Sequence, residues 1–340
     1  MKPEMSERLF IEDLFRQSVQ EKKIEIEKIE SIERLTGDAS TRRYYRVFCT
    51  NSKYVVCLDN PSEQDNTFVK KQKFFFNNKI RVPQVYDTNP QKGYILEEDL
   101  GDVTLLQELV NIENSQEEYE QYKKVLDELI SIHKINQTEL NKSDLFEEKF
   151  DFDKLQSEID FSLRYFLKCF LKIDDQKLLD SINVEFSHIT KRLSEQNMVL
   201  THRDFHSRNI MIKNKELITI DFQDARMGIP QYDLVSVLED CYYEIELSNK
   251  NKLIDYYYEK LQDQLKDQGD RSTFMNLYDD MTLQRVFKAV GSFSYIFEHR
   301  EDERYVKYIG FAMEKIKKIL LKDPKYTNLR KLLFQVYYAS

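Results

Sequence analysis

Residues 200–225, LTHRDFHSRNIMIKNKELITIDFQDA, gather aspartates, asparagines and histidines into one short run of chain. His202-Arg203-Asp204 followed by Asn209 has the spacing H-R-D-x-x-x-x-N, in which the aspartate accepts the proton of an acceptor hydroxyl and the asparagine holds a metal ion during phosphoryl transfer. The segment IMIKNKELITID reads as a tight hairpin, with Ile210 and Ile212 on one side, a turn over residues 213–216, then Ile218 and Ile220 before Asp221. Such a hairpin returns Asp221 beside Asn209. An aspartate paired with an asparagine carbonyl offers hard oxygens suited to a divalent cation, Mg²⁺, that also touches ATP phosphates. Asp221-Phe222 thus stands where D-F-G would.

These groups need elements to hold them. A chain of 340 residues with 41% hydrophobic and 13% aromatic residues fits about two globular lobes on the usual prior of ~150 residues each. Only seven glycines and six prolines occur, and four of these thirteen fall between Pro83 and Gly101, so the boundary is placed there, with lobes at 1–97 and 98–340. Before it, SIERL, TRRYYRVFCT and KYVVCLD read as short strands and FVKKQKFFFNNK as a helix. After it, Leu155, Ile159, Leu163, Phe166 and Phe170, and again Val286, Val290, Phe293 and Phe297, recur at spacings of three and four, which predicts long amphipathic helices. The run NIENSQEEYEQYKK reads as a solvated helix face.

A net charge of -9 disfavours nucleic acid and anionic lipid as partners, so an anionic ligand must be held by a local site. Cys49, Cys57, Cys169 and Cys241 show no CxxC spacing and read as free thiols in a reducing compartment. Acids occupy the start of the chain where a secretory signal needs an apolar core, and no apolar run nears the ~20 residues of a spanning helix. The expectation is a cytoplasmic chain of unassigned oligomeric state.

Asp204 is followed two positions later by His206, a pattern that resembles the kinase-like aminoglycoside and choline phosphotransferases; protein kinases usually carry lysine there. The short gap from Asp221 to PQYDLVSVLEDCY leaves no room for an activation loop, which argues against a protein substrate. TGDASTRRYYRV, YILEEDLGDVTLL, FDFDKLQSEIDFSLRYFL, DFQDARMGIPQYDLVSVLEDCY and MTLQRVFKAVGSFSYIF resemble, in order, segments of the bacterial anomeric N-acetylmuramate/N-acetylglucosamine kinases. The resemblance implies an α+β, bilobal protein-kinase-like fold, with a small antiparallel sheet lobe and a helical lobe. It also implies ATP and Mg²⁺ as cofactors, an amino sugar as acceptor, and a place in cell-wall sugar recycling; the alternatives are an aminoglycoside- or choline-type phosphotransferase with another acceptor and an ATP-binding pseudokinase.

For the nucleotide, Gly37 lies in LTGDAS, where a glycine turn lets backbone amides approach phosphates, with Ala39 beside it and Ser40 adding a hydroxyl. Glu97 and Glu98 fall on the expected hinge, whose backbone would bind the adenine edge. Cys57, Leu58 and Asp59 stand where a strand lysine would, and the following helix has no glutamate, so the usual Lys–Glu pair is missing. Arg42 and Arg43 are the candidates to replace it. Adjacent strand positions face opposite ways, so one of them at most does so, and Arg43 is favoured. Gln223 and Asp224 could reach sugar hydroxyls or an acetamido group, and Asp233 reads as a helix cap. His202 would brace the loop, while His206 is open between loop support and contact with the transferred phosphate. Arg285 and Lys288 could attract an anionic acceptor or simply be solvated; Tyr242 and Tyr243 could stack on a pyranose or pack in the core.

Overall fold

The structure, a computed structural model, describes residues 5–25, 27–35, 42–64, 66–262 and 269–338. Two compact units emerge: Met1–Thr104 with Ile210–Gln223, and Leu105–Asn209 with Asp224–Ser340.

The first unit is a five-stranded antiparallel sheet of order β1-β2-β3-β5-β4. Its strands are β1 (Ile29–Arg34), β2 (Arg43–Cys49), β3 (Lys53–Leu58), β4 (Val85–Asn89) and β5 (Tyr94–Glu98). Strand alternation divides their side chains between two faces. One face, with Tyr45, Val47, Cys49, Val56, Leu58 and Leu96, is covered by Ile11, Leu14 and Phe15 of helix α1 (Met5–Gln20). Helix α2 (Thr67–Asn77) starts at Asn66, whose side chain accepts from the Val69 N–H at 3.1 Å and so satisfies one of the orphan donors of the first turn.

Between the halves of the second unit, β7 (Ile210–Lys213) and β8 (Glu216–Thr219) form the hairpin expected from their alternation. Asn214 and Lys215 turn it with φ of 53° and 70°, the double positive φ of a turn whose twist matches its strands. The Ile212 N–H donates to the Val103 carbonyl at 2.8 Å and the Thr219 N–H to the Arg81 carbonyl at 3.0 Å. The hairpin therefore folds with the first unit, so the division is not a single cut near residue 97; chain connectivity and spatial membership part company at residue 210.

The second unit is helical. It contains α3 (Ser115–His133), α4 (Phe152–Ser162), α5 (Gln176–Ser194), α6 (Gln231–Leu238), α7 (Leu247–Lys260), α8 (Arg271–Arg300), α9 (Val306–Lys322) and α10 (Thr327–Tyr337). A short ladder pairs β6 (Val199–Thr201) with β9 (Arg226–Gly228). The apolar stripe of α8 is buried as its periodicity requires, including Leu283, Val286, Phe287, Val290 and Phe293. No helix among the described residues is long and apolar enough to cross a membrane. The α+β class expected from the sequence is the one found.

Gly291 is where α8 and α4 approach closely: a Cβ added there would lie 2.6 Å from the Ser162 Cα. In an unconstrained helix Gly→Ala gains roughly 1 kcal/mol. Here the added methyl meets backbone, so Gly291→Ala is expected to lose about 1–3 kcal/mol, the range for overpacking. Urea denaturation checks the sign; a stabilised variant would show that these helices are free to separate.

Candidate active site

The loop that follows β6 is clipped to the core at both ends. Asp233, fully buried inside α6, accepts from the backbone N–H of His202 at 2.6 Å and of Arg203 at 2.9 Å. His133 Nε2 lies 3.2 Å from Oδ2 of the same carboxylate, the oxygen that also takes the His202 N–H. Asp233 is thus no helix cap: the helix begins at Gln231, and the side chain is spent on another segment. Asp240 takes the N–H of Ser207 at 2.9 Å and that of Tyr242 at 2.9 Å. Between these clips Arg203 adopts φ 85°, a left-handed conformation that a non-glycine residue holds only when its surroundings impose it.

That geometry presents Asp204. Its Oδ1 receives Arg285 Nη2 at 3.0 Å and lies 3.5 Å from Lys288 Nζ, both from α8. Its Oδ2 has only the distant Arg203 Nε, at 3.9 Å, and no hydrogen bond among the described residues. Burial alone would push this carboxyl up, but Lys288, Arg285 and Arg203 together hold it well below the usual carboxylate range. Arg285 is itself 7% exposed, donates to Ser236 Oγ at 3.0 Å and sits over the Tyr232 ring. The solvated reading of Arg285 and Lys288 therefore fails: a spacing of three turns both toward one carboxylate. Distance in sequence hid this, although two basic residues within an apolar run were a usable signal.

Asn209 donates through Nδ2 to the Asp204 carbonyl at 3.0 Å, which ties the two motif positions together. The same nitrogen lies 3.4 Å from His206 Nε2. Burial shifts His206 down toward its neutral form, against Asp240 and Asp204, and its ring meets Tyr242 edge-on. His202 is fully buried and accepts the Asp204 N–H at 3.3 Å, the bracing position expected of it. Tyr242 packs on Phe293 and Tyr308, and Tyr243 donates to Glu118 at 2.8 Å; both are held by neighbouring side chains. Asp224 is exposed and pairs with Arg203.

In the first unit, Asp221 is exposed at φ 64°, and its Oδ1 accepts from Gln223 Nε2. The fully buried Phe222 fixes this turn, stacked 5.0 Å from Phe68 and edge-on to Phe75 of α2. Lys71 of the same helix, 5% exposed, donates to the Gln223 carbonyl at 2.9 Å. Glu98 is gripped by Arg81 and Lys213, each at 2.8 Å; burial would raise its carboxyl, but these cations bring it to about 2. Glu97 points to the face away from α1, where burial pushes it up to about 8 against the opposing charge of Arg42.

The favoured Arg43 is turned the other way. It pairs with Glu7 of α1 at 2.9 Å on the covered face. Arg42 pairs with Asp59 at 2.9 Å, sits over Phe68, and is the arginine electrostatically coupled to Glu97. Strand alternation puts the two on opposite faces of the sheet; the position of α1 decides which of them it covers. Gly37, Ala39 and Ser40 lie outside the described residues.

The phosphotransferase enzyme family matches residues 31–265. An N-acetylmuramate/N-acetylglucosamine kinase of Neisseria meningitidis is 26% identical over 313 residues, covering 88% of this chain and 89% of its own. Choline kinase from Cryptosporidium parvum shares the fold with a TM-score of 0.63 at 14% identity, covering 96% of this chain and 99% of its own. The ADP-bound aminoglycoside phosphotransferase APH(2'')-Ib does so with a TM-score of 0.58 at 16% identity, covering 90% and 98%.

The depressed Asp204 carboxyl has a stability consequence. A lowered folded value contributes stability that is present above the ordinary value of ~3.9 and is lost as pH falls through the folded one. Asp204→Asn leaves Arg285 and Lys288 without their anion and is expected to cost about 1–3 kcal/mol near neutral pH. Its deficit against wild type should shrink as the pH is lowered into the acid range. Chemical denaturation across pH checks this, and an Asn variant as stable as wild type at pH 7 contradicts it.

Proposed function

The chain belongs to the phosphotransferase enzyme family, and on that premise we propose that it transfers the γ-phosphoryl group of ATP to the anomeric hydroxyl of an amino sugar, N-acetylmuramate or N-acetylglucosamine. The observation that carries the reading is the division of labour within the Asp204 carboxylate: Oδ1 is held by Arg285 and Lys288, while Oδ2 is left for an acceptor hydroxyl. Its likeness over 88% of the chain to a kinase bearing that substrate name supports the choice of acceptor.

A carboxylate held so firmly as an anion is a weak base. It suits an acceptor whose hydroxyl is more acidic than an ordinary sugar alcohol, and the anomeric hydroxyl is such a group. Asp204 orients that hydroxyl for in-line attack and receives its proton at Oδ2 as the oxygen–phosphorus bond forms and the bond to the ADP oxygen breaks. His206, tending to its neutral form, supports the loop through Asn209 and takes no cationic part.

Asn209 and Asp221 are the proposed Mg²⁺ ligands. They fit the ion in chemistry: an exposed carboxylate and a side-chain amide both carry the hard oxygen that Mg²⁺ takes. Mg²⁺ would neutralise phosphate charge. The first unit is proposed as the nucleotide-binding lobe, with Gly37, Ala39 and Ser40 at the phosphates, the backbone at Glu97 and Glu98 at the base, and Arg42 in place of the strand lysine. The second unit is the acceptor lobe, with Asp224 and the neighbouring Gln223 offered to sugar hydroxyls. Such an enzyme would act in the cytoplasm on amino sugars recovered from the cell wall.

Coupled ATP turnover with N-acetylglucosamine, N-acetylmuramate, glucose and choline tests the reading. The two amino sugars should be turned over well above the others; turnover with choline alone would overturn the acceptor. Asp204→Ala is expected to lower kcat by about 10²–10⁴-fold, the usual range for a positioned acid–base group, with ATP affinity retained. Arg42→Ala should raise KM for ATP more than Arg43→Ala does, and the reverse order would return the role to Arg43.

A further inference from the structure

Two cations address one oxygen of Asp204. Arg285 is fully engaged, with Asp204, Ser236 and the Tyr232 ring around its guanidinium. Lys288 is different. Its side chain is 17% exposed, and its Nζ stands 3.5 Å from Oδ1 at ion-pair range without a hydrogen bond to it.

The surrounding carboxylates already have cations of their own. Arg203 pairs with Asp224. Glu158, buried in α4, lies 3.9 Å from Lys154 and accepts from Tyr232 and Gln284 at 3.3 and 3.1 Å. Around the base, Lys154, Arg203, Arg285 and Lys288 stand among Glu158, Asp204 and Asp224, and Asp233 and Asp240 hold the backbone of the same loop. Burial disfavours the charged form of Lys288, with Asp204 opposing, so this partly exposed ammonium is kept in a place that penalises it.

Resting on the amino-sugar reading above, we infer that Lys288 is the specificity residue that receives a carboxylate carried by the acceptor, so that the site distinguishes an acidic amino sugar from a neutral one. In-line attack places the phosphorus beyond the acceptor oxygen, on the far side from Asp204. Lys288 sits instead at the other oxygen of the base, 3.5 Å from Oδ1. A carboxylate substituent on the ring that presents its anomeric hydroxyl to Oδ2 meets the ammonium there and gives it an anion of its own. Lysine serves this as a compact point charge on a flexible stem, able to leave Oδ1 when the ligand arrives.

The test compares wild type, Lys288→Met and Lys288→Arg as full chains with Mg-ATP, reading kcat/KM for N-acetylmuramate and for N-acetylglucosamine. Lys288→Met should lower the ratio of the two by tenfold or more, chiefly through KM for N-acetylmuramate, and Lys288→Arg should restore at least part of it. An equal fall on both sugars would overturn the inference and assign the charge to the transferred phosphoryl group or to Asp204 alone; an unchanged ratio would overturn it as well. Because the readout is a ratio, a general loss of folded protein cancels. Absence of turnover by wild type on both sugars would instead defeat the amino-sugar reading itself.

Discussion

The carboxylate of Asp233 is the constraint on which the second unit depends. Buried without exposure, it bonds two successive backbone N–H groups at the head of the loop, and an uncompensated anion there would be costly. His133 meets it from α3, and Tyr257 from α7 meets His133 in turn, so three helices converge on two peptide groups. The left-handed turn at Arg203 is a consequence of that convergence. Asp240 repeats the device further along, bonding Ser207. Asp204 and Asn209 are therefore aimed by the core rather than by their own loop.

Aiming a carboxylate and making it basic are opposed demands. The more cations that hold Asp204, the further its proton affinity falls, and Arg285 with Lys288 carries this far. On the proposed role of Asp204, orientation and charge placement outweigh proton abstraction, which matches what phosphoryl transfer asks of a protein. The neutral tendency of His206 is consistent, since a cation at that position would duplicate Lys288.

Much of this could be read from residue types and spacing. The strands at 29–34, 43–49 and 53–58, the α2 helix and the hairpin at 210–219 follow from alternation, from helical period and from turn chemistry. The motif positions Asp204, Asn209 and Asp221 were visible for the same local reason. What escaped was tertiary. Arg42 and Arg43 are equivalent until α1 covers one face of the sheet. Asp233 looks like a cap because its helix begins beside it, yet its side chain serves residues some thirty positions earlier, and Arg285 lies still further from Asp204. Lys71 carries no sequence signal at all: a basic helix residue among others, distinguished only by the carbonyl of Gln223 that it reaches.

The central claim is that Asp204 holds the acceptor through Oδ2 while Oδ1 stays anchored. A crystal structure with an unreactive ATP analogue, Mg²⁺ and N-acetylmuramate tests this most directly. The account predicts the anomeric hydroxyl within about 2.6–3.2 Å of Oδ2, the reach of a working acid–base group, with Arg285 still on Oδ1. An acceptor hydroxyl bound to any other side chain, or a sugar turned so that a different hydroxyl meets Asp204, would contradict it.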